Sequence, residues 1–405
     1  MVEEQSSPDI SPPESQASQT GESGATFRSL RQLIDHVTGK DKWTLADVED
    51  AGLAEILPFP FLAMVGQVDM KLALLVALVN PAVGGVLLIG PRGTGKTTAV
   101  RGLVNLLPQV QRSLCYYGCM PEDVETGGID AICPDCAKRY AAGEALSQLD
   151  QVRLVELPLN ARLEDVIGGV DERAATHERM RLRRGILTQA DQNILYIDEV
   201  NLLSNDVVDA ILDAAAQGRY TVRRGPIAST YRSRFVLVGS MNPEEGRLRP
   251  QIMDRFGLRV VVRGLSDPDE RLEVYRRVQA YQANPRRVSL EFNQDNLLAT
   301  DEIQAARARI SQVTLPDNVA QHGLRMVSQL NLDSARAEIT LFEAGRAYAA
   351  LDDRTEVTVD DLLMMAPMAL RMRRSLFMQE FFSHQDNEEI ELQSLVNKAK
   401  DQDGI

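Results

Sequence analysis

Histidine is scarce in this chain, and the four that occur are scattered. His36, His177, His322 and His384 do not have the spacing of metal ligands. No Ser/His/Asp combination with the order and spacing of a hydrolytic triad stands out either. The sequence therefore gives no support for histidine-based nucleophilic catalysis or for a histidine metal centre.

Long apolar runs and an excess of positive charge are also missing. No apolar stretch approaches the roughly 20 residues that cross a bilayer, and residues 1–25 are acidic and polar rather than a signal or transit sequence. The 58 acidic against 44 basic residues give a net charge of −14, which argues against a nucleic-acid partner held by a general basic field. We expect a cytoplasmic protein with no membrane and no nucleic-acid partner.

A glycine-rich segment between an apolar run at 85–89 and a predicted helix is the strongest motif present. In such a P-loop, backbone N–H groups turn toward the α/β-phosphates, Lys96 reaches the β/γ-phosphates, and the Thr97 hydroxyl can ligate Mg²⁺. The sequence therefore predicts binding of ATP and Mg²⁺. The predicted phosphate-binding residues are Gly90, Pro91, Arg92, Gly93, Thr94, Gly95, Lys96, Thr97 and Thr98.

A second acidic motif follows about a hundred residues later. The apolar run 194–197 ends in Asp198 and Glu199, the pattern of a Walker B strand. Asp198 would hold Mg²⁺, and Glu199 would orient the water that attacks the γ-phosphate. Two acids after an apolar strand are common by chance, but together with the P-loop they predict ATP hydrolysis.

Apolar strands and helical patterns alternate through the first two thirds of the chain. Strand candidates lie at 152–157, 235–239 and 259–262, besides those of the two motifs. This alternation predicts an α/β fold with a parallel sheet flanked by helices, followed by a smaller all-α lid. The predicted helices of the lid are 267–282, 316–330, 334–351 and 358–374. The predicted division is a disordered tail at 1–26, a nucleotide-binding domain at 27–265, a helical lid at 266–380 and a C-terminal tail at 381–405.

Two further polar positions resemble the sensor and finger of AAA+ ATPases. Asn242 follows the strand that runs from Phe235 through Gly239 to Ser240, and it is similar to sensor 1, which holds the lytic water and contacts the γ-phosphate. Arg255 lies where AAA+ proteins place an arginine finger that enters the site of the neighbouring subunit. The resemblance implies that an isolated monomer is not fully active.

Three stretches closely resemble the ATPase (I) subunit of magnesium chelatase: 61–67 through the P-loop, 185–203 and 238–258. Within them, Ile-Asp-Glu-Val-Asn-Leu-Leu at 197–203 and Asn-Pro-Glu-Glu-Gly at 242–246 are similar to this family rather than to most other AAA+ branches. The resemblance spans about residues 57–375 and adds Gln67 to the nucleotide-binding set. It implies a homo-oligomeric ring, expected to be a hexamer, that drives ATP-dependent insertion of Mg²⁺ into protoporphyrin IX. It also implies two partners, a large porphyrin-binding subunit and a bridging subunit. The alternatives are a MoxR-like AAA+ chaperone acting on protein clients and a regulatory nucleotide-binding module with little turnover.

The same resemblance implies a second sensor arginine at the start of a lid helix. Arg336 fits the family pattern better than Arg325, which has similar neighbours one helix earlier. Two positions depart from the pattern: Ser334 and Ala335 replace the usual Gly-Leu, and Glu343 stands where family members commonly carry Arg. We expect Arg336 to be the sensor.

All cysteines of the chain fall into an insertion at about 113–140, after the P-loop helix. Cys115 and Cys119 are spaced Cys-x₃-Cys, and Cys133 and Cys136 are spaced Cys-x₂-Cys. Two close pairs of thiolates match a structural Zn²⁺ site that could stabilise a small insertion. A thiol–disulfide switch, unligated cysteines and an iron–sulfur cluster remain the alternatives.

A second insertion, at about 217–235, has the pattern of a β-hairpin. Its expected arms are 217–222 and 233–235, with Arg223, Arg224 and Arg232 near the bend. In this AAA+ branch such a hairpin reaches toward the pore or a partner, whereas a solvated basic tip is the plainer interpretation.

Overall fold

The computed structural model of the protein describes residues 57–115, 117–170, 182–224, 227–332 and 334–374. The predicted tails at 1–26 and 381–405, the segment 27–56, and His36, His177 and His384 lie outside these residues. No helix within the described residues is long and apolar enough to cross a membrane.

The strands are β1 (Val86–Ile89), β2 (Gln109–Ser113), β3 (Ser147–Gln151), β4 (Leu154–Leu157), β5 (Gly168–Val170), β6 (Leu182–Arg184), β7 (Ile194–Ile197), β8 (Arg219–Arg224), β9 (Ile227–Arg232), β10 (Val236–Met241) and β11 (Leu258–Val261).

Five of these strands form one parallel sheet in the order β11-β1-β10-β7-β4. Helices cover both of its faces, which is why the central strands are apolar along their whole length. Along β1, Val86 and Leu88 pack into one hydrophobic core, whereas Leu87 and Ile89 pack into the other. The predicted α/β class with a parallel sheet is thus confirmed. In this strand order the carboxyl ends of β1, β10 and β7 are neighbours, which brings the P-loop and the Walker B acids together.

Fourteen α-helices occur in the described part of the chain. The core contains short helices and two long ones, and the lid that follows β11 is wholly helical. The helices are α1 (Val68–Val79), α2 (Lys96–Gly102), α3 (Pro121–Gly127), α4 (Pro134–Ala141), α5 (Leu163–Ile167), α6 (Ile186–Gln189), α7 (Asn205–Gln217), α8 (Pro250–Arg255), α9 (Pro268–Ala283), α10 (Pro285–Glu291), α11 (Asn293–Arg309), α12 (Asp317–Gln329), α13 (Ala335–Leu351) and α14 (Val359–Leu370).

Two lid helices, α10 and α11, have no counterpart in the sequence prediction. The α10 helix begins at a short side-chain cap, in which Asn284 Oδ1 accepts a hydrogen bond from the Arg287 N–H at 2.9 Å. The buried face of α11 consists of Asn296, Ala299, Ile303 and Ala306. Because that face is small and partly polar, the helical periodicity of apolar residues is weak, and the sequence does not predict the helix.

Hydrogen bonds to Glu343, one of the positions that depart from the expected pattern, join the lid to the core. Asn80, which follows α1, donates hydrogen bonds from Nδ2 to the Glu343 carbonyl at 3.2 Å and to its carboxylate at 2.7 Å. Arg346 Nη1 donates to the other carboxylate oxygen at 3.0 Å. Glu343 therefore has a structural role here, holding α13 against the end of α1.

The hairpin insertion is present, but its second arm differs from the prediction. β8 pairs with β9 in antiparallel register, with Arg219 opposite Arg232 and Arg224 opposite Ile227. The segment 233–235 lies beyond the hairpin, and Arg232 lies at its base instead of near the bend. The second arm was not predicted because β9 lacks an apolar run: Thr230 is exposed, and Ser229, on the same face as the buried Tyr231, is polar.

Candidate nucleotide-binding site

The P-loop connects the carboxyl end of β1 to the amino end of α2. Gly95 is the residue before α2 and has a φ of 84°, in the left-handed region that glycine adopts without strain. A Cβ there would also approach the Met64 methyl group to 3.1 Å. The loop is therefore held in the conformation that leaves the first N–H groups of α2 available to an anion.

Lys96 lies at the mouth of this loop and is largely buried. Its ammonium donates hydrogen bonds to the carbonyl oxygens of Gly90 at 2.7 Å and Pro91 at 2.8 Å. Burial lowers the pKa of Lys96, and the nearby carboxylates of Asp198 and Glu199 oppose that shift. A phosphate at the loop would compete with the two carbonyls for the ammonium protons.

Asp198 is the centre of a hydroxyl network. Thr97 Oγ1 lies 3.3 Å from its carboxylate, and Tyr196 donates a hydrogen bond to it at 2.8 Å. Ser240, on the neighbouring strand β10, also donates to the carboxylate. Burial raises the pKa of Tyr196, so its hydroxyl remains a donor at neutral pH. The network joins the P-loop, β7 and β10 around one carboxylate, the arrangement that a Mg²⁺ site requires.

Glu199 lies beside Asp198, but the carboxylates of the two residues have different partners. Its φ of 50° turns the chain sharply at the end of β7, and its N–H donates to Ser240 Oγ at 3.0 Å. Arg92 lies 3.5 Å from its carboxylate and also pairs with Glu245. Partial burial, together with the charge of Glu245, raises the pKa of Glu199. An acid with a raised pKa next to the phosphate loop suits the polarisation of a water.

The other predicted core residues surround the same edge of the sheet. Asn242 follows β10, is buried, and accepts a hydrogen bond from the Glu244 N–H at 3.2 Å. Gln67 precedes α1 and donates from Nε2 to the Arg263 carbonyl at 2.7 Å, which puts it at the carboxyl end of β11. Thr94 Oγ1 donates to Pro91, and Thr98 is exposed on the first turn of α2. The structure thus brings the two Walker motifs, Asn242 and Gln67 to one edge.

The predicted finger and sensor arginines lie at the opposite end of the sheet. Arg255 forms an ion pair with Asp213, and Arg336 lies 3.4 Å from Asp254. Both arginines line a cavity of 180 Å³ together with Gly85, which precedes β1. The P-loop follows the other end of β1, so neither side chain points at the phosphate loop of its own chain.

The competing sensor candidate occupies another part of the lid. Arg325 lies on α12 and donates from Nε to the carbonyl of Gln321, within the same helix. It is not among the residues of the 180 Å³ cavity, whereas Arg336 is. Proximity to Arg255 thus distinguishes Arg336 from Arg325.

The four cysteines converge although they are distant in sequence. Their sulfur atoms all lie within 4.8 Å of one another. The Cys115 sulfur accepts hydrogen bonds from the N–H groups of Tyr117 at 3.3 Å and Cys119 at 3.1 Å, and the Cys119 sulfur accepts one from Cys133 at 3.3 Å. Such N–H donors stabilise thiolates. Burial favours the thiol of Cys115, but hydrogen bonds from Ser113 and the backbone outweigh it and lower the pKa of Cys115 to about 7.

Sequence reasoning missed three residues of the nucleotide site. Tyr196 and Ser240 were assigned only as strand residues, and Glu245 only as part of a recognisable stretch. The missed signal is the polar side chain inside an otherwise apolar buried strand, since such a group must find a partner. In both strands that partner is Asp198.

Comparison with known proteins agrees with this geometry. Residues 83–248 match the family described as AAA domain, and residues 327–393 match the AAA lid domain. The chain is 40% identical over 85% of its length to the magnesium-chelatase subunit ChlI homolog of Methanocaldococcus jannaschii, of which the match covers 92%. It is 41% identical over 78% of its length to the magnesium-chelatase 38 kDa subunit of Acidiphilium rubrum, covering 90% of that chain.

A solved structure is also similar in sequence. It comes from the complex between subunits BchI and BchD of magnesium chelatase, with 38% identity, coverage of 80% of this chain and 99% of the other, and a TM-score of 0.44.

Proposed function

The chain belongs to the magnesium-chelatase subunit I family of AAA+ ATPases, and we propose that it is the motor that drives insertion of Mg²⁺ into protoporphyrin IX, giving Mg-protoporphyrin IX. As a member of that family it is the ATPase subunit of a ligase-type enzyme. The observation that carries the proposal is the network in which Thr97, Tyr196 and Ser240 all converge on Asp198. This arrangement is suited to ATP turnover, and the relatives' names supply the reaction that the turnover would drive.

The roles of the nucleotide-site residues follow from their positions. Backbone N–H groups of the loop 90–95 and the ammonium of Lys96 bind the phosphates. Thr97 and Asp198 would hold the Mg²⁺ that accompanies ATP, and that ion would offset negative charge on the phosphates. Glu199 orients the attacking water. The buried amide of Asn242, which follows the neighbouring strand β10, contacts the γ-phosphate. Gln67, at the carboxyl end of β11, contacts the nucleotide.

Hydrolysis requires a neighbouring copy in this proposal. Because Arg255 and Arg336 lie at the far end of the sheet, they reach a γ-phosphate only in the site of an adjacent subunit. A head-to-tail arrangement that closes on itself satisfies this requirement, and we propose a ring, with six copies as the expected number. The ring makes each site dependent on two chains, which couples neighbours during turnover.

Chelation itself belongs to partner chains in this proposal. Within the described residues, four thiols form the one cluster of at least three Cys, His or acidic side chains with metal-ligating spacing, and it lies in an insertion. The family resemblance implies that a large subunit binds the porphyrin and that a bridging subunit attaches it to the ring. ATP-dependent movement of the ring would be transmitted to them by surfaces that differ between its nucleotide states.

We also propose that Cys115, Cys119, Cys133 and Cys136 hold a structural Zn²⁺. Thiolates bound to Zn²⁺ at about 2.3 Å in a tetrahedron lie about 3.8 Å from one another, and the observed sulfur atoms lie within 4.8 Å. The N–H donors and the lowered pKa of Cys115 fit a thiolate at that residue, whereas burial and the neighbouring sulfurs raise the pKa values of Cys119 and Cys136. A bound cation would supply the charge that keeps those two sulfurs deprotonated. Metal analysis of the purified protein tests this assignment.

The motor assignment is tested by the fluorescence of Mg-protoporphyrin IX. The assay contains the large and bridging subunits from the same host, ATP, Mg²⁺ and protoporphyrin IX. We expect product with this chain and with the exposed control variant Lys138→Ala, and none with Lys96→Ala. ATP hydrolysis without product would contradict the proposal and favour the chaperone-like alternative. Absence of hydrolysis in the presence of both partners would favour a regulatory nucleotide-binding module.

A further inference from the structure

The cysteine insertion is too small to fold around its own hydrophobic core. We call the segment between β2 and β3, residues 114–146, the cysteine module. Its buried residues are Cys119, Met120, Ile132, Cys136 and Leu146, and two of these five are cysteines. Two short helices, α3 and α4, are otherwise held by polar caps and turns. A module of this size needs a cross-link or a metal to keep a fixed shape.

The module contacts the hairpin formed by β8 and β9, and it also accepts a hydrogen bond from Arg184 of β6 at the Cys115 carbonyl, at 3.3 Å. The ring of Tyr117 stacks on Tyr231, with 5.9 Å between centroids and 16° between planes. Asp123 forms an ion pair with Arg232, and both side chains are mostly buried. These contacts lie at the base of the hairpin, where Arg232 is the last residue of β9.

Apart from Asp123 on α3, the residues that contact the hairpin lie on the loop that carries two of the cysteines. Tyr117 and Gly118 lie between Cys115 and Cys119, and the N–H of Tyr117 donates to the Cys115 sulfur at 3.3 Å. Gly118 has a φ of 81°, and a Cβ there would lie 3.1 Å from the Arg232 Cβ. The position of Cys115 therefore determines where the stacking ring lies and how closely the loop approaches β9.

The hairpin in turn is joined directly to the nucleotide site. β8 begins two residues after the end of α7, the helix that follows the Walker B acids, and β9 leads into β10, the strand of Ser240. Its base is closed by a hydrogen bond from the Ser233 N–H to the Gly218 carbonyl at 2.9 Å. Movement at either Walker B or β10 thus reaches the hairpin through a short backbone connection.

We propose that Zn²⁺ at the four thiolates braces the β8–β9 hairpin, so that the metal fixes the angle at which the hairpin leaves the nucleotide-binding core. This inference rests on the zinc assignment in the proposed function. Without the metal, the loop of Tyr117 and Gly118 loses its anchor at Cys115. The hairpin then keeps its backbone connections to α7 and β10, the hydrogen bond between Thr188 and Tyr220, and its packing against Ile167. The brace acts on the hairpin and leaves the Walker residues in place.

Hydrogen–deuterium exchange of the full-length protein tests the brace. The zinc-loaded protein is compared with protein treated with a chelator under a thiol reductant, which prevents disulfide formation. We expect amides of 219–224 and 227–232 to exchange about tenfold faster after metal removal. Amides of β1 and β7 serve as internal references and should keep their rates.

Variants separate the brace from the metal site. Asp123→Asn and Tyr117→Ala remove contacts to the hairpin while all four cysteines remain, so we expect faster exchange of the hairpin with zinc still bound. Asp130→Asn, an exposed acid in the same module, is the matched control and should change neither property.

Three results would overturn the inference, and they differ in whether the zinc assignment also fails. If no zinc is bound and none can be loaded, the zinc assignment and the brace both fail, while ATP turnover still stands. If zinc is bound but its removal leaves hairpin exchange unchanged, only the brace fails. If protection of the hairpin requires oxidation and a disulfide, the module is a thiol–disulfide device and the metal plays no part.

Discussion

The hydroxyl of Ser240 donates a hydrogen bond to the carboxylate of Asp198, across the boundary between two strands of the sheet. The same oxygen accepts the N–H of Glu199 at 3.0 Å. One buried serine thus orients both Walker B acids, the first through its side chain and the second through its backbone. The site therefore depends on a residue that belongs to neither Walker motif.

Ser240→Ala removes this hydrogen-bonded link. We expect the Mg²⁺ concentration for half-maximal ATPase activity to rise about tenfold, because partners that orient a metal ligand contribute to metal affinity. Ser233→Ala is the control, since Ser233 is equally buried and donates to the Leu187 carbonyl outside the site. Titration of ATPase activity with Mg²⁺ measures the effect. Equal Mg²⁺ dependence of the two variants would remove Ser240 from the metal site.

Glu245→Gln should shift the pH dependence of hydrolysis. The Glu245 carboxylate contributes to the raised pKa of Glu199, behind the larger effect of burial. Without that negative charge, the pKa of Glu199 falls, and Glu199 remains ionised at lower pH. The acidic limb of the pH profile of kcat/KM for ATP should therefore move to lower pH.

Glu244→Gln is the control for this profile, since Glu244 is exposed and does not contribute to the pKa of Glu199. A limb that stays in place in Glu245→Gln would show that another group titrates there.

Two inactive variants should restore activity to each other when mixed. We expect Arg255→Ala and Lys96→Ala alone each to lower kcat by at least about 100-fold. In a random equimolar mixture, about a quarter of the interfaces pair an intact P-loop with an intact Arg255 from the neighbour. ATPase assays over a series of mixing ratios should therefore give a maximum near equal amounts. Mixtures without any gain in activity would contradict a finger acting between subunits.

The cap of the last lid helix provides a stability prediction. Asp361 is buried, accepts the Thr358 N–H at 2.7 Å, and pairs with both terminal nitrogens of Arg354. Asp361→Ala leaves the guanidinium and the helix end without this acceptor, so we expect a loss of about 3 kcal/mol in the free energy of unfolding. The exposed neighbour Asp360→Ala should cost less than about 1 kcal/mol. Urea unfolding followed by circular dichroism measures both, and similar losses would refute the role of Asp361.

Much of the fold could be predicted because its signals are local. The strands β1 and β7 are continuous apolar runs, and the helix α14 begins at Thr358 with a capping box that is visible in the sequence. The polar strand β9 and the helix α11 were not predicted because each buries little apolar surface, or buries it on one side only. Apolar periodicity reports burial, so elements that bury little apolar surface leave a weak pattern.

The sequence by itself determined which residues are candidates for the nucleotide site, since Lys96, Thr97, Asp198 and Glu199 occur in motifs whose spacing already implies strand ends at one edge of a parallel sheet. Only the tertiary structure decided the rest. It joined Ser240 to Asp198 across two strands, gathered four distant sulfurs, and carried Arg336 to the end of the sheet away from the P-loop. Such contacts depend on strand order and helix packing, which are set by the burial of the whole chain and are not encoded in the spacing of any one motif.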